Sequence, residues 1–161
     1  MPVDLVAHLA ARVRRIPDHP KPGILFRDIT PLLGDAAAFA AVTTAMADAF
    51  AGEGITHVAA IESRGFLLGG PIAQRLGSGL IPLRKPGKLP AARRRQAYAL
   101  EYGTDALEAH EDACGDAARV LVVDDVLATG GTAGAACRLV EGIGGTVVGC
   151  AFLLELPALG G

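Results

Sequence analysis

Two adjacent carboxylates, Asp124 and Asp125, precede the turn Ala128, Thr129, Gly130, Gly131, Thr132 within VLVVDDVLATGGTA (120–133). Glycines let consecutive backbone N–H groups converge on one point, and a following helix adds partial positive charge at its start. Such a turn suits a phosphate dianion without needing a lysine. The hydroxyls of Thr129 and Thr132 add donors. The acids beside it look misplaced, because paired carboxylates cost desolvation and mutual repulsion. A ribose 2′,3′-diol carrying a 5′-phosphate removes the conflict: the diol donates to the aspartates while the phosphate sits in the turn. Contact with a metal through water is a further use for them. Taken alone, ATGGT also reads as an ordinary strand-to-helix turn, and one aspartate as its cap. Neither GxxxxGK[ST] nor GxGxxG occurs, so ATP-type and dinucleotide-type loops are excluded.

For these groups to act together, the flanking segments must bring them to one edge. Arg119–Val123 reads as a continuous apolar strand, 130–142 as a helix and Thr146–Leu154 as another buried strand. HVAAI (57–61) is a further buried strand, followed at once by ESRG and the helical pattern FLLGGPIAQRLG, where Pro71 predicts a kink or a late start. Alternating strands and helices with continuous apolar strands imply an α/β fold, a mostly parallel sheet covered on both faces. Ligands of such sheets bind at the carboxyl ends of strands. The polar turns after Ile61 and Val123 occupy that kind of position.

The remaining segments read as follows. Residues 3–16 carry helical spacing, with Arg12, Arg14 and Arg15 at the end that suits cations; PDHPKPG then breaks the chain before ILFRDIT. Residues 35–51 form a second helix with Asp35 as N-cap and Gly52 as stop. A short strand covers Leu80–Leu83, and YALEYGTDALEAH (98–110) forms a hairpin with Gly103 and Thr104 between its arms.

The length of 161 residues suits one domain, 1–161, with a real core. That core is aliphatic, since hydrophobic residues make up 51% and aromatics only 4%. A net charge of −2 does not favour nucleic acid as a partner. Yet six of the fifteen basic residues fall in one window, Arg84, Lys85, Lys88, Arg93, Arg94 and Arg95. Cys114, Cys137 and Cys150 form no CxxC or Cys/His pattern and read as reduced core thiols. His8, His19, His57 and His110 share no ligand spacing and receive no role. The start of the chain does not read as a signal peptide, and no apolar run is long enough to span a bilayer. A soluble, cytoplasmic protein is the expectation.

VLVVDDVLATGGTA resembles the phosphoribosyl pyrophosphate signature of type I phosphoribosyltransferases. HPKPGILFRDITPLL (19–33), IESRGFLLGGPIAQRLG (61–77), IPLRKPGKLP (81–90) and YALEYGTDALEAH (98–110) are similar, in family order, to the adenine branch of that family. The resemblance implies a central, mostly parallel sheet flanked by helices, a small N-terminal hood (about 1–34) and a flexible lid loop (about 84–97). It implies transfer of the 5-phosphoribosyl group from phosphoribosyl pyrophosphate to adenine, giving AMP and pyrophosphate, as in purine salvage. Mg²⁺ would accompany the leaving group, with no direct protein ligand beyond water-mediated contact to Asp124 and Asp125.

By the same resemblance, Glu62, Ser63, Arg64 and Gly65 form the pyrophosphate turn, where backbone amides and the Arg64 guanidinium can grip phosphate oxygens. A bare surface cation at a helix start is disfavoured by the dipole, so Arg64 is assigned to the ligand and to catalysis. Arg84, Lys85 and Lys88 match the lid pattern that reaches pyrophosphate and excludes water. Arg93–Arg95 departs from it and reads as a solvated charge run. Glu101 in LEYG matches the proposed acid/base that exchanges a proton with the purine imidazole; Tyr102 reads as packing. Leu25, Phe26 and Arg27 match the adenine pocket, with Phe26 stacking on the base, although a lone aromatic in an apolar run commonly packs in a core. A homodimer is implied too. Similar proteins continue past LELPALGG into a further strand, which leaves base selectivity less well specified than phosphoribosyl transfer. Hypoxanthine, guanine, xanthine or orotate remain alternative bases. A non-catalytic regulator that binds phosphoribosyl pyrophosphate is the alternative from another class.

Overall fold

The helical spacing at the start of the chain holds a helix only as far as Ala10: α1 is Val3–Ala10 and β1 is Arg14–Ile16. In this computed structural model, which describes residues 3–99 and 103–161, β1 pairs antiparallel with β2 (Phe26–Asp28), Arg14 opposite Asp28 and Ile16 opposite Phe26. The expected helix over 3–16 is therefore corrected at its second half. Val13 and Ile16 fit a helical period, but the partner strand ten residues on decides their state. Arg12 serves the helix end, its Nη1 donating to the His8 carbonyl at 3.1 Å, and also ties it to Asp35, to which its Nε donates at 2.5 Å. A short helix, α2 (Thr30–Gly34), leads to α3 (Ala36–Asp48), which Asp35 caps as expected. The Asp35 carboxylate accepts the N–H groups of Ala37 and Ala38 at 3.1 and 3.0 Å.

The chain divides into two units, Met1–Ala45 and Met46–Gly161. The second holds β3 (His57–Ile61), α4 (Arg64–Leu76), β4 (Gly79–Leu83), β5 (Arg93–Ala99), β6 (Thr104–His110), β7 (Arg119–Leu127), α5 (Gly131–Gly142) and β8 (Thr146–Glu155). A four-stranded parallel sheet in the order β4-β3-β7-β8 forms its centre, as the apolar runs implied. Residues alternate between faces along each strand. Ile61, Ile81, Leu83, Val120 and Val122 face a buried cluster with Leu139 and Val140 of α5 and Leu107 of the β5–β6 hairpin. The other face takes α4 at close range. A Cβ built on Gly69 would lie 2.5 Å from the Ala60 Cβ and 3.6 Å from Val58 Cγ1, so only glycine fits there.

Several expectations change in this unit. α4 starts at Arg64 and runs through Pro71, so the late start does not occur. The apolar strand before the acids does not stop at Val123; β7 continues to Leu127 and carries Asp124 and Asp125 within it. β5 begins at Arg93, so the latter part of the expected lid at 84–97 is strand, hydrogen-bonded to β6 from Arg93↔His110 to Ala99↔Thr104. Thr104 belongs to β6 rather than to the turn. Arg93–Arg95 are exposed but not merely solvated: Arg93 Nε meets the buried Glu108 carboxylate at 3.2 Å, and Arg94 donates to the Gly142 carbonyl at 2.6 Å. The thiols are free, and Cys114 and Cys137 pack against the buried cluster, whereas Cys150 departs from the expectation of a core thiol. Cys114 and Cys137 are half-buried and Cys150 is exposed. Among the described residues, no helix is long and apolar enough to cross a membrane.

Candidate active site

β3 and β7 are neighbours and parallel, so their carboxyl ends lie side by side, with Ala60 opposite Val123. The turn after β3 and the acids of β7 therefore meet. Arg64, the first residue of α4, donates through Nε to the Asp125 carboxylate, a pair whose acid is buried and whose guanidinium is 45% exposed. Gly65 closes the approach. A Cβ there would come within 2.9 Å of the Val123 carbonyl and 3.0 Å of Asp124 Oδ1. The Glu62–Ser63 peptide bond ahead of α4 is cis.

Glu62 is the hub of the cationic side. Its Oε2 accepts Arg84 Nε and the Lys85 N–H, both at 2.9 Å, and its Oε1 accepts the Lys88 ammonium. Burial alone would raise this carboxyl. Hydrogen bonds from Lys88, Arg84 and the Lys85 amide override that and hold it at about 2. The Arg84 guanidinium also lies 5.7 Å from the Phe66 ring centroid. Lys85 behaves differently. Its ammonium turns away to Tyr98 Oη, at 2.8 Å, and to the Asp105 carboxylate.

Beyond the acids, a shallow cleft runs from Asp124 and Val126 along the Ala128–Ala133 turn to Phe152. Gly130 makes the turn possible: as the N-cap of α5 it adopts φ 83°, a left-handed conformation open to glycine and strained for a branched side chain. Asp124 lines the cleft, whereas Asp125 does not. Strand alternation explains the split, which the expectation of a turn over these two residues had missed. The cleft thus offers a carboxylate at one end and the N-terminus of a helix at the other.

The chain from 30 to 159 matches the family model described as "Phosphoribosyl transferase domain". An adenine phosphoribosyltransferase from Parafrankia sp. is 58% identical over 155 residues, which span 96% of this chain and 84% of that protein. The chain belongs to the adenine phosphoribosyltransferase family. A crystal structure of the family from Thermoanaerobacter pseudethanolicus superposes with a TM-score of 0.94 at 51% identity, covering 97% of this chain and 91% of that one. A Saccharomyces cerevisiae member, 36% identical, was solved with D-2,5-dideoxy-2,5-imino-altritol 1,6-bisphosphate and adenine. It superposes with a TM-score of 0.92, covering 97% and 91%. The type I phosphoribosyltransferase fold expected from the signature is the fold observed.

Of the family residues expected at the site, the structure brings together Glu62, Ser63, Arg64, Gly65, Arg84, Lys88, Asp124 and Asp125, with Ala128–Thr132 along the adjoining cleft. It places the Lys85 side chain elsewhere. Leu25, Phe26 and Arg27 lie in the first unit, at and beside β2, where the Phe26 ring meets His19 edge-on at 5.1 Å between centroids. Glu101 and Tyr102 lie outside the described residues. Sequence reading missed Tyr98, Asp105 and Glu108, which fix the cationic segment. Glu108 accepts the Gly87 N–H at 3.0 Å, and its backbone exchanges hydrogen bonds of 2.7 and 2.8 Å with Arg84. No local signal marks them, because each acts on a residue 13 to 24 positions away in the chain.

Burial lifts the Asp124 carboxyl to about 7; the neighbouring Asp125 N–H and the Arg64 charge oppose the shift, and the Asp125 charge adds to it. A carboxyl raised in the folded state stabilises the protein fully below its ordinary value and loses that contribution as pH rises through 7. Asp124→Asn, which keeps the Oδ1 acceptor for the Asp125 N–H, should therefore gain melting temperature over the parent at about pH 8 and gain less at about pH 5. Thermal melts across that range check it; a gap independent of pH would contradict the buried, raised carboxyl.

Proposed function

We propose that the protein transfers the 5-phosphoribosyl group from phosphoribosyl pyrophosphate to adenine, releasing AMP and pyrophosphate. The observation that carries the reading is the junction of the β3 turn with the end of β7, which sets Arg64 beside the cleft that Asp124 and the Ala128–Thr132 turn line. In the reaction, the bond from sugar C1′ to the pyrophosphate oxygen breaks and the bond to adenine N9 forms. The chain's task is to position two ligands and stabilise charge on the leaving group. Asp124 and Asp125 accept from the ribose diol, and the Ala128–Thr132 turn holds the 5′-phosphate. Ser63, Gly65 and Arg64 bind pyrophosphate oxygens, with Arg64 exchanging Asp125 for the ligand as negative charge builds. Arg84 and Lys88 leave Glu62 for the pyrophosphate in the same way, while the Lys85 amide and stem steady the segment that carries them. Leu25, Phe26 and Arg27 form the base pocket, and Glu101 takes the proton lost from the purine imidazole ring.

Mg²⁺ belongs to this reading as a companion of the pyrophosphate. Among the described residues no group of three or more His, Cys, Asp or Glu could hold a metal by itself. Asp124 and Asp125 offer hard oxygen acceptors for the waters of an ion that the substrate carries. Bound there, it would neutralise charge on the leaving group. A cytoplasmic homodimer completes the proposal; the half-exposed Leu67 of α4 and Leu80 of β4 are apolar surface suited to a partner copy.

Mixing the protein with Mg²⁺, phosphoribosyl pyrophosphate and each base in turn tests the function. AMP should form with adenine. Formation of another monophosphate in its place would move the assignment to that base, and sugar-ligand binding without any product would leave a regulator. Within the same assay, Glu101→Ala is expected to lower kcat more than it raises the KM for adenine, by about tenfold or more if proton transfer is its role. Unchanged kinetics would remove Glu101 from the reaction.

A further inference from the structure

Two of the three cysteines stand together, one turn along α5 from Ala133 and two residues before Phe152, which line the cleft. Cys137 lies within α5 and Cys150 within β8, and their Sγ atoms are 3.6 Å apart. We propose that Cys137 and Cys150 form a reactive dithiol that hydroperoxides oxidise to an intrachain disulfide joining α5 to β8. The two sulfurs need to close by about 1.5 Å to reach disulfide bonding distance, a shift on the scale of a side-chain torsion. Access is provided by Cys150, which is exposed, while Cys137 is half-buried behind it. Cys114 makes a useful contrast, with its sulfur 3.7 Å from the Ile143 carbonyl and no thiol partner.

Cys137 is the group equipped to react first. The hydrogen bond from Cys150 holds its thiol down at about 7 against the opposing effect of burial, with Arg138 favouring and Glu141 disfavouring the thiolate. The thiolate attacks one peroxide oxygen, the O–O bond breaks, and the departing hydroxide takes a proton to become water. That leaves sulfenic acid on Cys137. The Cys150 sulfur then attacks the Cys137 sulfur, the S–O bond breaks, and the second water leaves with the Cys150 proton. Two thiols lose two electrons and one hydroperoxide is reduced. Cys150, whose own thiol is pushed up by its bond to Cys137 and by burial, acts as the resolving group and needs to lose its proton only in this second step.

The test uses the whole chain and reads thiols and peptides rather than AMP formation, so it is independent of the proposed transferase activity. Treatment with hydrogen peroxide at low molar excess should reduce the titratable thiols of the unfolded protein from three to one. Non-reducing peptide mapping should find Cys137 linked to Cys150 within one chain, reversible by a dithiol reductant. Cys114→Ser should leave the linkage unchanged. Cys137→Ser and Cys150→Ser should each abolish it, and Cys150→Ser should leave a sulfenic acid on Cys137 that a dimedone-type probe captures. Loss of Cys114 at the same rate, linkage only between chains, or three surviving thiols would each overturn the proposal.

Discussion

The double substitution Asp124→Asn with Asp125→Asn is expected to cut kcat/KM for phosphoribosyl pyrophosphate by about a hundredfold while leaving a folded protein. Hydrogen bonds to a charged acceptor contribute roughly 1–1.5 kcal/mol more than those to a neutral one, so at about pH 8, above the raised value of Asp124, losing the charge from two acceptors amounts to about 2–3 kcal/mol. Each 1.4 kcal/mol is about a factor of ten. The fold should tolerate the change because each amide keeps the geometry of the acid it replaces. Asp124 Oδ1 would still accept the Asp125 N–H, now 2.8 Å away. The single variants separate two contributions. Asp124 lines the cleft, so its effect should fall on the sugar ligand alone. Asp125 holds Arg64, so its loss should also change how strongly pyrophosphate inhibits. Because the two are adjacent, their effects should not simply add. Wild-type kcat/KM in the double variant would sink the assignment of the diol to these acids.

Gly65→Ala is expected to destabilise the fold and disturb the β3 turn together, because its added methyl meets the strand that carries the acids. The new Cβ would sit 2.9 Å from the Val123 carbonyl and 3.3 Å from Asp124 Cα, and both are backbone atoms of a central strand. Overpacking of this kind costs about 1–3 kcal/mol, which corresponds to roughly 2–12 °C in melting temperature for a chain of this size. The displaced turn should raise the KM for phosphoribosyl pyrophosphate as well. Gly70→Ala, five residues along the same helix, is the control. Nothing lies within 4 Å of its would-be Cβ, and alanine is favoured over glycine in a helix by about 1 kcal/mol, so its melting temperature should hold or rise. Equal melting temperatures in the two variants would show that the β3 turn is not tightly seated against β7.

Much of this arrangement is legible from local patterns. HVAAI forms β3 over the expected residues, helix α5 follows the glycine turn, and β8 begins at Thr146. Each is an apolar run or a capped helix whose state is fixed by its own residues. What is hidden depends on distant partners. Arg93–Arg95 has no apolar pattern, yet it is strand because β6 supplies its hydrogen bonds. Arg14–Ile16 is strand because Phe26–Asp28 lies opposite. Lys85 looks like one more phosphate-binding cation until Asp105 and Tyr98 are seen to hold it. The division of labour between Asp124 and Asp125 is likewise invisible, since it requires knowing that β7 runs past them.

The adjacency of β3 and β7 also bears on the order of events as the protein forms. Those strands are joined across a separation of 63 positions, as in the Thr56–Arg119 hydrogen bond at their start. Local helices and hairpins close loops of modest length, whereas this pairing carries a larger loop-closure entropy cost, by about 2 kcal/mol for a tenfold longer loop, before any contact rewards it. Neither half of the ligand site is complete until it happens. A growing chain that has emerged through α4 and β4 carries the turn proposed for pyrophosphate without the acids or the turn proposed for the 5′-phosphate. Ligand binding therefore becomes possible only with the last third of the chain in place, and binding then stabilises the long-range pairing that created it.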